Sequence, residues 1–222
     1  MNVTVTLLRL HRTIALWVGA ILVLVVSIGL VAITQYGPVK FSFWLVIAGA
    51  MAKYWPLVVG IIMISMYFRQ FVAHGVTRRE FLLAVAGCGL TFAAAFAVVV
   101  TAGHALESAV LGLADQRDAG YPLAGAGELG RIFPQSLAYF TSGVLITACF
   151  YRFRPWVGVA LIAPGALPLA AAAVLLPLDE FGNTGDLLPY GPALALTLAA
   201  IAAGAAATWA VLRDTPIRRA AR

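Results

Sequence analysis

The chain has 222 residues, of which 62% are hydrophobic and only 11% charged, with a mean hydropathy of +0.95. A soluble domain carries about a quarter of its residues as charges, so the composition argues against one and for an all-α integral membrane protein. Lipid offers no hydrogen bonds, and a spanning segment must satisfy its own backbone as a helix or within a closed barrel. The apolar runs here are continuous rather than alternating, which selects helices.

Taken in chain order, the runs predict six transmembrane helices in one domain covering residues 1–222. Met1–His11 precedes them, with Leu7, Leu8 and Leu10 beside Arg9 and Arg12. It reads either as a short amphipathic N-terminal helix at the interface or as a frayed basic terminus. The first span is 13–34; about 22 apolar residues exceed an ordinary signal core, and no cleavage pattern follows Thr34. The second is placed at 50–68, with Phe41–Gly49 along the outer surface, because this keeps Lys53 near the interface where its ammonium reaches water. The third covers 80–101. Beyond it, His104–Ala114 carries Leu106, Ala109, Val110 and Leu113 at helical spacing and predicts a separate helix on the outer surface. Glu107 there is read as a solvated acid rather than a substrate or ion contact. Gly120, Pro122, Gly125, Gly127 and Gly130 then predict an irregular loop. The fourth span is 134–151. The fifth, 156–176, contains Pro164 and Pro168 and is expected to kink or break. The sixth, 190–212, is rich in Ala and Gly and offers a close-packing face, within the subunit or between copies.

Charge orients this layout. With both termini cytoplasmic, the inner segments hold Arg9, Arg12, Arg69, Arg78, Arg79, Arg152, Arg154, Arg213, Arg218, Arg219 and Arg222, eleven of the fifteen basic residues. Lys40, Lys53, Arg117 and Arg131 remain opposite, together with Glu107, Asp115, Asp118, Glu128, Asp179, Glu180 and Asp186, seven of the nine acids. This is the positive-inside bias. It accounts for the net charge of +6 without a nucleic-acid partner.

Catalytic and metal chemistry find no pattern. Cys88 and Cys149 fall within spans and read as small apolar core residues. His11 and His74 lie on the inner side and His104 on the outer, none with a second ligand at metal spacing. No Ser–His–acid set or carboxylate pair shares one membrane depth, and the 222 residues contain no Gly-x-x-x-x-Gly-Lys-Ser/Thr loop to cradle phosphates. No catalytic site is therefore assigned, and no metal or cofactor is assigned to this chain.

The most informative stretch is the polar turn at 69–80. His74-Gly75-Val76-Thr77-Arg78-Arg79-Glu80-Phe81 reads as a turn at Gly75, an N-cap at Thr77 and a capping box closed by Glu80. A basic capped turn is what topology alone would produce. Its wording, FVAHGVTRREFLLA, also resembles the cytoplasmic turn between the second and third spans of small bacterial type-2 ABC transporter permeases. There a Gly-Val-Thr/Ser-Arg-Arg-aromatic pattern opens a helix. The resemblance is motif-level over residues 70–84 and loose elsewhere, through six spans, inward termini and a short loop at Arg152–Pro155.

That resemblance implies a permease subunit of an ABC exporter in a bacterial plasma membrane, working as a homodimer. In the family the turn is a coupling helix that docks on a separate ATPase subunit, which brings its own ATP and Mg. Gly75, Val76, Thr77, Arg78, Arg79 and Phe81 match the pattern, and His74 and Glu80 complete the candidate coupling set. This chain lacks the large extracellular domain and long fifth-to-sixth loop of bigger members, and no substrate site follows from it. The alternative reading is a scaffold or sensor subunit that uses the turn to hold a cytoplasmic partner.

Overall fold

The computed structural model describes residues 3–179, 181–182 and 184–213. Glu180, Arg218, Arg219 and Arg222 of the charge argument lie outside the described residues. The chain is all helical, and among the described residues there is no strand beyond one isolated bridge between Val39 and Arg117. Among the described residues, five helices are long and apolar enough to cross a membrane: α1 (Val3–Thr34), α2 (Phe43–Ala73), α3 (Arg78–Leu113), α4 (Ala126–Arg152) and α6 (Tyr190–Leu212). Such a set is compatible with a multi-pass membrane protein. Between α4 and α6, residues 155–175 form three short pieces, Pro155–Ala160, Ile162–Gly165 and Leu167–Leu175, together called α5.

The central post is α4, buried over most of its length, with α2, α3, α5 and α6 packed around it and α1 leaning on α2 and α3 from outside. Prolines inside the long helices are accommodated from neighbouring helices. A helical proline leaves the carbonyl four residues earlier without its partner. For Pro56 in α2 that carbonyl is Ala52, and Ser136 Oγ of α4 donates to it at 2.6 Å. For Pro134 in α4 it is Gly130, and the Tyr190 hydroxyl of α6 donates to it at 3.0 Å. The same two bonds seat α4 against both neighbours. Pro164 and Pro168 break α5 as expected, and Ser142 Oγ of α4 accepts from the Leu169 N–H at 3.1 Å to hold the last piece.

Four boundaries differ from the sequence reading. Phe41–Gly49 is not a segment separate from the second helix: α2 begins at Phe43, with Trp44, Leu45 and Ala48 buried, because Ser42 caps the helix there. Lys53 consequently stands ten residues into α2, about 15 Å from its start. The expected separate helix after residue 104 is the continuation of α3. Gly103 does not interrupt it; the residue lacks a side chain because the Trp44 indole occupies that space and donates through Nε1 to Val100 O at 2.9 Å. Gly127 and Gly130 belong to α4, which starts after Gly125 and not at 134. At the other terminus, the lead-in and first span are one helix, with Leu7 and His11 buried against the bundle.

Candidate docking turn and the opposite polar end

The turn joining α2 to α3 is locked from both sides. The end of α2 closes in a Schellman motif: Val76 N–H donates to Phe71 O and Gly75 N–H to Val72 O, both at 3.1 Å. Gly75 adopts φ +86°, the left-handed conformation that this motif requires and that glycine takes without a Cβ penalty. Two residues on, α3 opens with the full capping box. Thr77 Oγ1 accepts from Glu80 N–H at 3.2 Å, and a Glu80 carboxylate oxygen accepts from Thr77 N–H at 3.0 Å. Below the turn, Phe81 is fully buried, its ring 5.4 Å from Phe68 and 5.8 Å from Phe71. Phe68 in turn stacks edge-on with Tyr151 of α4 at 5.3 Å.

The candidate residues thus divide by role. His74, Gly75, Thr77 and Glu80 are exposed at the tip, and Val76 is half-buried. Phe81 is an anchor rather than a contact surface. Arg78 is turned away from the tip: its Nη1 donates to Arg213 O at 2.6 Å and to Leu212 O at 3.5 Å. It satisfies carbonyls at the end of α6, which a helix C-terminus leaves without partners. Arg79 lines a groove between α3 and α6. Arg152 likewise donates to Val211 O at 2.7 Å, so the ends of α3, α4 and α6 are tied together beside the turn.

The opposite end of the bundle holds polar groups that the sequence reading did not assemble. Glu107, expected to be solvated, is 5% exposed. Its carboxylate accepts from Ser42 Oγ, from the Tyr121 hydroxyl at 2.8 Å, and from the Phe43 and Trp44 N–H groups at 3.1 and 3.2 Å. It is a second N-cap for α2, supplied from α3. Burial, opposed in part by a bond with Ser42, pushes the Tyr121 phenol well above its ordinary pKa, so it stays a donor. Nearby, fully buried His104 pairs with Glu128 at 2.7 Å and with Pro122 O at 3.0 Å. Val39 N–H donates to Gln116 O and Asp118 N–H to Val39 O, at 2.8 and 3.1 Å, which ties two connecting loops together.

Arg131 of α4 makes a two-pronged bond with Asp186, both arms 2.8 Å, and lies over the Tyr190 ring at 5.5 Å. Hydrogen bonding from Arg131 holds the Asp186 carboxyl below the usual carboxylate range. The bridge is therefore complete above the unfolded pKa of about 3.9 and lost as pH falls through the lower folded value. Acid is expected to free the 176–189 loop, read as increased pepsin cleavage there from about pH 4 downward. An Arg131→Met variant should lose that pH dependence.

Next to this end, Lys53, Tyr54, Gln135 and Asp179 share a cavity of about 220 Å³ with Leu45 and Leu178. The Gln135 amide donates to Leu176 O at its edge. Cys88 and Cys149 are buried and free. Among the described residues no group of three His, Cys, Asp or Glu side chains is placed to hold a metal. Comparison of the chain with protein-family models, with curated proteins and with solved structures gave no match in any of the three.

Proposed function

We propose that this chain is the membrane-spanning permease subunit of an ATP-driven ABC-type exporter, coupled through the 69–81 turn to a separate ATPase subunit that binds ATP and Mg. The observation that carries this reading is the build of the turn. It joins helices of 31 and 36 residues, the second about 54 Å long at 1.5 Å per residue, whereas the hydrocarbon core is about 30 Å thick. A turn capped on both sides and anchored through Phe81 transmits a push along α3 with little loss in local bending. A loop tethered only for topology has no need of such rigidity.

In this reading α5 completes six spans, both termini are cytoplasmic, and the membrane is the bacterial plasma membrane. Two copies present two turns to a pair of ATPase subunits. Closure of that pair on ATP drives the turns, and the helices around α4 rock to open a path for export. The exposed tip, flanked by Arg69, is the surface the ATPase meets; Arg78 serves the assembly by tying α3 to α6.

The test is to purify the tagged full chain from its native membrane in mild detergent and identify stoichiometric partners by mass spectrometry. A Walker-motif ATPase is expected. Reversing the tip charge with Arg69→Glu and His74→Glu should lower its recovery about tenfold, equivalent to about 1.4 kcal/mol, with membrane insertion unchanged. Thr77→Ala, which removes a cap worth about 1 kcal/mol, should weaken recovery without altering charge. Recovery of an intact chain without any ATPase would instead favour a scaffold or sensor.

A further inference from the structure

On the side of the bundle below Arg79, α3 and α6 each pack on α4 and leave a trough between them of about 360 Å³. Its floor is Phe140 and Val144 of α4, and its walls include Leu83 and Ala86 of α3 and Ala205 and Trp209 of α6. The hydroxyls facing it are spent on their own helices: Thr141 donates to Leu137 O at 2.8 Å and Thr208 to Gly204 O at 2.9 Å. The wall is thus apolar along its length. At the turn end, Arg78 bonds the last carbonyls of α6, and exposed Arg79 lines the trough. Arg79 is the one charged residue among the described residues that line it.

We infer that this trough is a binding site for an anionic phospholipid of the surrounding bilayer, one acyl chain lying along α4 and the phosphate held by Arg79. The trough extends from Arg79 to Leu90 along α3, about 16 Å, and so runs inward from one cationic end. That is the shape and polarity of an anionic amphiphile. A guanidinium meets a phosphate through two parallel N–H bonds, which a zwitterionic lipid with its own ammonium engages less well. Trp209 at the open side has the position of an interfacial aromatic. Among the described residues that line the trough the only charge is this single cation, which matches the single anionic head of a lipid. The inference rests on the chain spanning a bilayer and not on any ATPase partner.

Trp209 is a built-in reporter. The full chain is reconstituted in vesicles containing equal fractions of brominated phosphatidylglycerol or brominated phosphatidylcholine, and tryptophan quenching is recorded. The part due to Trp209 is what Trp209→Phe removes. Quenching of that part by the anionic lipid is expected to exceed that by the zwitterionic one several-fold, and Arg79→Gln should equalise the two. Ala86→Leu with Ala205→Leu, which fills the trough while leaving Arg79 in place, should lower quenching at Trp209 and remove the anionic preference. Equal quenching in the unmodified protein would overturn the site, as would a preference that survives Arg79→Gln. Absence of quenching by either lipid would show the trough covered by protein and would equally overturn it.

Discussion

Glu107→Ala is expected to cost about 4 kcal/mol or more of stability, because it strips the acceptor from four donors at once, three of them buried. A buried donor without a partner costs about 1–3 kcal/mol. Here Ser42 Oγ, the Tyr121 hydroxyl and the first two N–H groups of α2 all point at one carboxylate. The penalties are not additive, since the hydroxyls can rotate and water can enter the vacated space, but they act on one network. The carboxylate also sits at the N-terminal, positive end of the α2 dipole, an attraction that the substitution removes. Glu107→Gln keeps one acceptor oxygen and turns an amide donor toward the others, so an intermediate loss is expected. Thermal unfolding of the purified chain in one detergent checks both variants, with proteolysis of the 114–125 loop as a local readout. A loss below about 1 kcal/mol for Glu107→Ala would return the residue to the solvated surface position that a charge on an outer helix suggests.

The contrast between the two ends of the bundle shows what a linear reading can reach. The turn was legible because its chemistry is local. The Thr77–Glu80 spacing announces a capping box, Gly75 announces a helix stop, and the structure places both as read, adding the Schellman bonds through Phe71 and Val72. The sixth helix, Tyr190–Leu212, was legible for a similar reason, since its apolar run begins after Pro189 and ends at Arg213. By contrast, the start of α2 is capped locally by Ser42 and a second time by Glu107, a residue 64 positions away in sequence from Phe43. No property of Phe41–Gly49 reveals that partner, and Lys53 drew the boundary inward. Arg78 is the same case in reverse: its motif position suggested a surface contact, whereas its partner, the carbonyl of Arg213, lies 135 residues away. Gly127 and Gly130 read as loop signals because glycine usually costs a helix about 1 kcal/mol. At Gly103 and Gly130 side chains from Trp44 and Tyr190 occupy the space a Cβ would need.

Gly143→Val is expected to be the most damaging single substitution in the helix core, with a loss above about 3 kcal/mol. Between membrane helices there is little hydrophobic exclusion to exploit, and close backbone approach through small residues is what draws them together. The contact of α2 with α4 is built this way in both directions. A Cβ at Gly143 would overlap the Leu57 carbonyl oxygen, and a Cβ at Gly60 would stand 2.6 Å from the Phe140 carbonyl oxygen. In each case the obstacle is backbone, which cannot swing aside as a side chain can. Overpacking in ordinary cores costs about 1–3 kcal/mol because neighbours repack; here α2 as a whole must shift away from α4. That shift would also strain the Ser136–Ala52 bond that compensates Pro56. Gly19→Ala on α1 is the control, with nothing within 4 Å of the added methyl, and is expected to be neutral or stabilising by about 0.5–1 kcal/mol. Comparable losses for Gly143→Val and Gly19→Ala in detergent unfolding would refute the packing of α2 on α4, and with it the rigid post against which the capped turn would have to push.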